Sequence, residues 1–593
     1  MELLRYKLFF LKKMMMYEKK HRLTRRSKAN NKGKAIPFIG VICLIASLIM
    51  LRQLLTAGYF SCLTEDTWTY TSWASQFIDA LNEGIIYPRW TPLNFWDYGS
   101  PTFILYPPLA FYLTALLNVL TGSIIAAMNI TKYAALLLSG IGMFFLVKEF
   151  YQEKTALLSA LFYMAFPFNV FGLYYYGTFA SVVSLIWFSP IMLFINKYFK
   201  SRQYKYVLYA GVSYGGLILT HLINAYMFSF VMAGFVGYLS VMEKRPRDIV
   251  VFLFIILIGC MVSAAYLFPL IFEKQFFNIN AFVAAEGGFD FSKFFIYPNR
   301  TGQMPSGNFW PVYYKEFETS VFLLIIFICI FTLRITQIRS FTSMRTAHNV
   351  NLFFLGTALG SLLLLFGMSS FLWNSIPFLK FIQFPFRWLN ITVFAVAFLS
   401  ATGFRMVESV YKKGAEGYAI IAVVFLMFLI CFLYDYKYIV TSPVYTPDEL
   451  IPPKAVNWTK EHLPRGVDIN KIRETENSGK LIFITGEGKA EVVAWNTASR
   501  TIKTDVKKHS IIRIRTFYFP GWKAYIDGTE TEIKKENDSG AMLVPIPGGV
   551  HTLELKFRDT PVRHYSGLVT ICSLLLIVIL YVILSVRVHT IAR

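Results

Sequence analysis

Apolar stretches close to the ~20 residues that cross a hydrocarbon core recur along the whole chain, and no other feature restricts the fold as severely. They fall at roughly residues 36 to 55, 124 to 147, 155 to 172, 179 to 196, 206 to 220, 222 to 241, 248 to 270, 320 to 336, 350 to 372, 389 to 408, 417 to 434 and 565 to 587. The expected fold class is a polytopic α-helical membrane protein of about twelve spans. The formal charge of +23 would suit a nucleic-acid binder only if it formed a basic face on a soluble domain. Here the cations sit between apolar runs, where they set topology.

The stretch 103 to 121, "FILYPPLAFYLTALLNVLT", is apolar enough to be one more crossing. The positive-inside rule argues against it. If it does not cross, the loops holding Lys197, Lys200, Arg202 and Lys205, then Arg334, Arg339 and Arg345, all fall in the cytoplasm. The first outer loop, 57 to 123, then carries Glu65, Asp66, Asp79, Glu83 and Asp97 against Arg89 alone. We therefore expect 103 to 121 to lie on the outer leaflet, entered at Pro107 and Pro108. Residues 67 to 83 read as a second surface helix, with Trp73, Phe77 and Leu81 on one side and Gly84 ending it. The joining segment "YPRWTPLNFWDYGSP" has the aromatic content of a headgroup layer.

Composition divides the rest. Residues 1 to 35 hold twelve Lys or Arg against Glu2 and Glu18, a tail expected in the cytoplasm with no cleavable signal. Residues 36 to 434 form the transmembrane domain. From 435 to 563 charge rises and alternation of period two appears, as in "HTLELKF". This predicts an extracellular all-β domain, with an Asp-Gly hairpin in "AYIDGTETEI" and another turn in "PIPGGVHT". Residues 564 to 593 are the final span and a short cytoplasmic tail. The six cysteines imply neither a disulfide framework nor zinc spacing.

Ionisable residues that are costly to bury collect at the outer ends of the spans. Glu65 and Asp66 follow the first span, where a carboxylate can deprotonate a water-borne hydroxyl, although acids there also cap helices. Lys132 lies near the outer start of its span, and snorkelling is its simpler reading. His221 sits in "LTHLIN", and Glu273 and Lys274 follow the span ending at Leu270, where they would make an exposed ion pair of little worth. Arg387, in "FIQFPFRW", suits forked contacts with a phosphate. Tyr174 to Tyr176 offer rings for a sugar or an interfacial belt.

In order, Asp66, the surface helix, "YPRW", "YGSPTFILYPPLAFYL", "LTH", "AAYLFPLIFEK" and "FIQFPFRWL" resemble the GT-C superfamily of polyprenyl-phosphate-dependent glycosyltransferases. The branch they resemble is labelled 6-pyruvoyl-tetrahydropterin synthase-related. The resemblance covers roughly residues 36 to 434. It implies that Asp66 acts on or orients the acceptor, with Glu65 beside it, and that the "PPL" helix packs near that site. Arg387, Lys132 and His221 would then face the donor phosphate, and Arg89, Tyr70, Tyr176, Glu273 and Lys274 the substrates. The chain departs from the pattern at Tyr70, where relatives carry histidine, and at Tyr176 and Ser181, where they carry arginine and glutamate. "FYFPGWKAYIDGTETEI" is similar to the outer β domain of membrane glycosyltransferases from Gram-positive bacteria. The zinc-binding histidine cluster of the soluble pterin enzyme has no counterpart in the spacing of the eight histidines.

The expected activity is transfer of a sugar from a polyprenyl-phosphate carrier to an extracytoplasmic glycan, lipid or protein, in a bacterial cytoplasmic membrane with both termini inside. No nucleic-acid partner is expected. The motifs require no cofactor, and a divalent metal is compatible with them. The rivals are a non-catalytic polymer-binding scaffold and a lipid or glycolipid transporter, the latter needing charges at mid-membrane depth.

Overall fold

The computed structural model describes residues 36–56, 58–60, 65–278, 294–296, 310–338, 345–410, some positions between 429 and 449, 459–475 and 478–590. Among them, six helices are long and apolar enough to cross a membrane. Two further helix pairs, bent by 44° and 87°, raise the number to eight if each pair is one crossing. The described residues thus account for fewer than the expected twelve. The run at 417 to 434 lies mostly outside them, and that at 350 to 372 ends its helix at Leu363.

The helices used below are α1 (Ile36–Leu55), α2 (Glu65–Asn82), α3 (Leu109–Thr121), α4 (Ile124–Lys148), α5 (Phe179–Ser201), α6 (Lys205–Thr220), α7 (Leu222–Met242), α8 (Leu389–Val410) and α9 (Pro561–Thr590). α8 runs almost wholly inside the bundle, whereas α9 packs along its outside. α3 has 13 residues, roughly 20 Å at 1.5 Å per residue, against a core of about 30 Å. Pro107 and Pro108 precede it, and Gly122, at φ 64°, ends it in the left-handed conformation that suits glycine.

The run at 248 to 270 is not one straight span. It breaks by 87° between Pro246–Val262 and Ala264–Phe276. Pro269 lacks the N–H that would bond Ala265 O. Arg89 Nη1 donates to that carbonyl instead, at 3.3 Å.

The β region is an antiparallel sandwich. Strands β1 (Tyr59–Phe60) and β2 (Val444–Tyr445) pair next to α1. One sheet has the order β3-β6-β10-β9, with β3 (Leu481–Thr485), β6 (Ser510–Phe517), β9 (Lys534–Lys535) and β10 (Ala541–Ile546). The other has β4-β5-β11-β7-β8, with β4 (Gly488–Trp495), β5 (Ser499–Val506), β7 (Trp522–Ile526), β8 (Thr529–Thr531) and β11 (Gly549–Phe557). The Asp-Gly hairpin forms as expected, with Ile526 opposite Thr529 and both Asp527 and Gly528 at positive φ. The turn in "PIPGGVHT" joins strands of different sheets.

The segment read as a headgroup anchor has another partner. Trp90, Phe95, Tyr98 and Ile104 are buried in one apolar core with the sandwich strands. Trp90 meets Trp522 edge-on at 5.3 Å, and Tyr98 stacks on Phe517 at 4.9 Å. Each large ring removes roughly 150–250 Å² from water, and a facing β-sheet accepts that area more completely than a headgroup layer. The loop thereby fixes the sandwich over one end of the helical bundle.

Candidate active site

Asp66 occupies the first turn of α2 and Tyr70 follows one turn later, so the two share a helix face. The Glu65 side chain lies outside the described residues. Tyr70 is buried, and its hydroxyl shares a 2.8 Å hydrogen bond with that of Tyr106, from the strand-like stretch before α3. Burial first, then Tyr106 and Asp66, push the Tyr70 phenol well above its ordinary pKa. It is a neutral hydrogen-bonding group.

Arg387 sits in the 3₁₀ turn Pro385–Trp388 that opens α8. Its Nη1 donates to Ile382 O at 2.8 Å and Gln383 Oε1 at 2.7 Å, and the guanidinium lies 4.7 Å from the centre of the Phe384 ring. Asp66, Tyr70, Tyr106 and Tyr176 all lie within Coulombic reach of it. Tyr176 ends a π-helical turn, Gly172–Tyr176, where its ring stacks on Phe171 and meets Phe386 at 6.1 Å.

His221 stands between α6 and α7 and is within the field of Arg387. Its Nδ1 accepts from the Asn224 N–H at 3.1 Å, which requires a neutral ring with the proton on Nε2. Burial and then Arg387 push its pKa down to about 3. Asn224 Nδ2 donates to Ser181 Oγ at 3.2 Å and Ser184 Oγ at 2.7 Å, and Asn390 Nδ2 reaches Ser181 Oγ at 3.5 Å. These amides tie the starts of α5, α7 and α8 together. The Phe179 ring, two residues before Ser181, packs 6.2 Å from Tyr70.

Five of the residues singled out in the sequence thus come together: Asp66, Tyr70, Tyr176, His221 and Arg387. Four others have different surroundings. Lys132 is buried, with Nζ donating to Leu173 O at 3.2 Å and lying 3.9 Å from the centre of the Tyr59 ring. It does not snorkel, because a carbonyl of the π-turn and a phenol ring satisfy it internally. Arg89 pairs with Asp559 at 3.3 Å in addition to Ala265 O. Glu273 is buried and pairs with Arg563, not with Lys274, which is exposed. Its Oε2 accepts from Arg563 Nε at 3.0 Å and Nη2 at 2.9 Å, and its Oε1 from Thr560 at 2.5 Å.

Sequence reasoning missed Tyr106, Asn224 and Asn390. Tyr106 precedes the proline pair that was read, and Asn390 stands one helical turn from Arg387. Among the described residues no three or more His, Cys, Asp or Glu side chains gather as a metal site.

The family model for the 6-pyruvoyl-tetrahydropterin synthase related domain, described as a membrane protein, matches residues 103–439, more than half of the chain. The chain belongs to this family. The matched region takes in α3, the His221 junction and the Arg387 turn, while Asp66 and Tyr70 precede it. No curated protein matches the chain.

Solved structures of the Archaeoglobus fulgidus oligosaccharyltransferase are similar to it in fold at low identity. AglB in complex with an inhibitory peptide and a dolichol-phosphate is 14% identical, with 69% of this chain and 56% of that chain covered at a TM-score of 0.42. The apo form is 13% identical, covering 73% and 57% at 0.39. The complex with Zn and sulfate is 14% identical, covering 69% and 54% at 0.37. The chain spans a little over half the length of these enzymes.

Proposed function

We propose that this protein is a membrane glycosyltransferase that moves a sugar from a polyprenyl-phosphate carrier to a hydroxyl-bearing acceptor on the outer side of the membrane. The observation that carries the reading is the meeting of one carboxylate, Asp66, and one guanidinium, Arg387, around the hydrogen-bonded Tyr70–Tyr106 phenols. The acceptor oxygen attacks the anomeric carbon and its proton passes to Asp66. The bond between that carbon and the phosphate oxygen breaks, and the lipid phosphate leaves with the electron pair. Arg387 offsets the charge that builds on this oxygen. His221, with Nε2 protonated, supplies a neutral donor nearby, and the Tyr70–Tyr106 pair orients hydroxyl groups.

The test is transfer of a labelled sugar from synthetic polyprenyl-phosphate donors to cell-envelope fractions by the purified chain. Wild-type transfer that disappears in Asp66→Asn supports the reading. Transfer that persists in that variant removes Asp66 from the chemistry.

A second reading, a polymer-binding scaffold descended from such enzymes, draws on Ser181. Its hydroxyl is held by two neutral amides where the resembled family carries an acid. An unchanged cellular phenotype in Asp66→Asn cells would favour the scaffold.

A further inference from the structure

A second site candidate lies at the other end of α2. Asp79 and Asp66 are on the same helix, about 20 Å apart at ~1.5 Å per residue. Around Asp79 opens a cleft of about 560 Å³ between α2, the 92–97 loop and the β4–β5 turn. Ligand sites commonly have volumes of roughly 300–1,000 Å³.

Its walls are fixed before any ligand arrives. Both Glu83 carboxylate oxygens accept from the Thr497 N–H, at 2.9 and 3.1 Å, and Oε1 also accepts from Thr497 Oγ1 at 3.1 Å. On the loop side, Phe517 N donates to Tyr98 O at 2.9 Å. Between these clamps three consecutive residues, Phe95, Trp96 and Asp97, take φ of 54°, 54° and 67°. A left-handed residue other than glycine costs roughly 1–2 kcal/mol. The chain holds all three, and the last of them lines the cleft. Strain of this kind persists where surrounding structure dictates it, and it concentrates at ligand clamps.

The lining specifies the chemistry. Trp495 offers an indole that now carries the head of the exposed, flexible Lys480, Nζ 4.9 Å from its ring centre, which a stacking sugar would displace. Asp79, Asp97, Asn82 and Asn496 add planar oxygens and amides that accept from and donate to hydroxyl groups. Behind the indole, Arg500 is fully buried, 4.5 Å from the ring centre, with Nε and Nη2 lacking hydrogen-bond partners. It acts electrostatically on Glu83 and Asp97. Asp79, Glu83 and Asp97 outnumber Lys480 and the buried Arg500, so the net field disfavours phosphate and uronate groups, and among the described residues the carboxylates do not converge as a metal site.

We infer that this cleft binds one unit of a neutral or amino-sugar glycan, with Trp495 against a sugar face and Asp79 and Asp97 accepting from its hydroxyl or ammonium groups. The inference stands on the cleft alone. Under the transferase reading, the cleft would hold the acceptor polymer at a distance from its reacting end.

The test is calorimetric titration of the full chain in detergent, without donor, using maltose, chitobiose, a glucosamine disaccharide and digalacturonate. At least one of the first three should bind saturably, and digalacturonate at least tenfold more weakly. Asp97→Asn and Trp495→Ala should each weaken the bound sugar at least tenfold, about 1.4 kcal/mol, with Trp495→Phe recovering most of it. If Trp495→Ala does not fold, the isosteric Asp97→Asn decides. Absence of saturable binding, wild-type affinity in Asp97→Asn, or equal binding of digalacturonate overturns the proposal. Loss of sugar binding in Asp66→Asn overturns it as well, by moving the sugar to the other end of α2. Because no donor is present, these outcomes are independent of whether transfer occurs.

Discussion

Two arginines of this chain lie beside phenylalanine rings and have opposite partners. Arg563, at the start of α9, has its Nε and Nη2 on Glu273, with Nη2 also donating to Pro520 O at 2.8 Å. Arg387, at the start of α8, donates to one carbonyl and one amide oxygen, and Asp66 acts on it electrostatically. The first guanidinium is spent on joining α9 to the bent helix that carries Glu273. The second donates to neutral oxygens, which suits the donor-phosphate role proposed for it. In the sequence Arg387 follows the aromatic run "FIQFPF" and Arg563 the polar stretch "KFRDTPV", yet each stands at the start of a long helix. Their partners separate them.

The largest effect that could break this contrast belongs to the chemistry. Asp66→Asn should lower sugar transfer by roughly 10²–10⁴-fold, the usual range for losing a general base, while the thermal midpoint in detergent stays near wild type. A parallel fall in stability would class Asp66 with Glu273 as a structural acid.

Next in size is the structural pair. Glu273→Ala leaves Arg563 buried without its carboxylate, and breaking one side of such a pair costs roughly 3–5 kcal/mol. The expected readout is a lower thermal midpoint together with faster proteolysis near the junction of the sandwich and α9. Adding Arg563→Ala should restore part of the loss, because no uncompensated charge remains. Arg387→Ala should show the reverse profile, with transfer down about 10²–10³-fold and little change in midpoint. Arg387→Lys should recover only part of the rate, since a point charge lacks the planar fork. If Arg387→Ala instead destabilises the chain as Glu273→Ala does, the two arginines are equivalent and the contrast fails.

Much of the helical framework was legible because apolar length and period are local properties. Trp73 and Phe77 are buried as their spacing predicts, but α2 is not the surface helix expected, since Thr67, Thr71, Ser72 and Gln76 are buried as well; Pro107, Pro108 and Gly122 delimited α3. The 87° break at Ser263 was hidden inside a continuous apolar run, with Pro269 as its sole local sign. The groups it frees find partners far off in sequence, Arg89 on Ala265 O and Thr570 on Ala265 N–H. The aromatic loop failed for a related reason. Tryptophan and tyrosine suit a headgroup layer and a protein core equally well, and only the β-sandwich that covers them decides between the two. Asp66 and Arg387 could be read from charge at span ends. Tyr106, Asn224 and Asn390 could not, because a neutral polar residue acquires meaning only from what it faces.

The smallest predicted effect repeats the contrast at the far end of α2. Glu83 is held by Thr497, whereas the neighbouring Asp79 has its pKa raised above 3.8, first by burial and then by the charge of Glu83. A carboxyl whose folded pKa is raised is disfavoured in its ionised form by folding. The penalty is therefore present above the folded pKa and fades as pH falls through it toward the unfolded value. Asp79→Asn should accordingly raise the thermal midpoint slightly at pH 7 to 8, by less than about 1 kcal/mol because water screens the exposed side of the group. The gain should shrink as the pH is lowered toward 4. A constant gain across that range would assign it to the amide's own contacts, and a loss at neutral pH would mean that Asp79 is stabilised by a cation, aligning it with Glu273 instead of with Asp66.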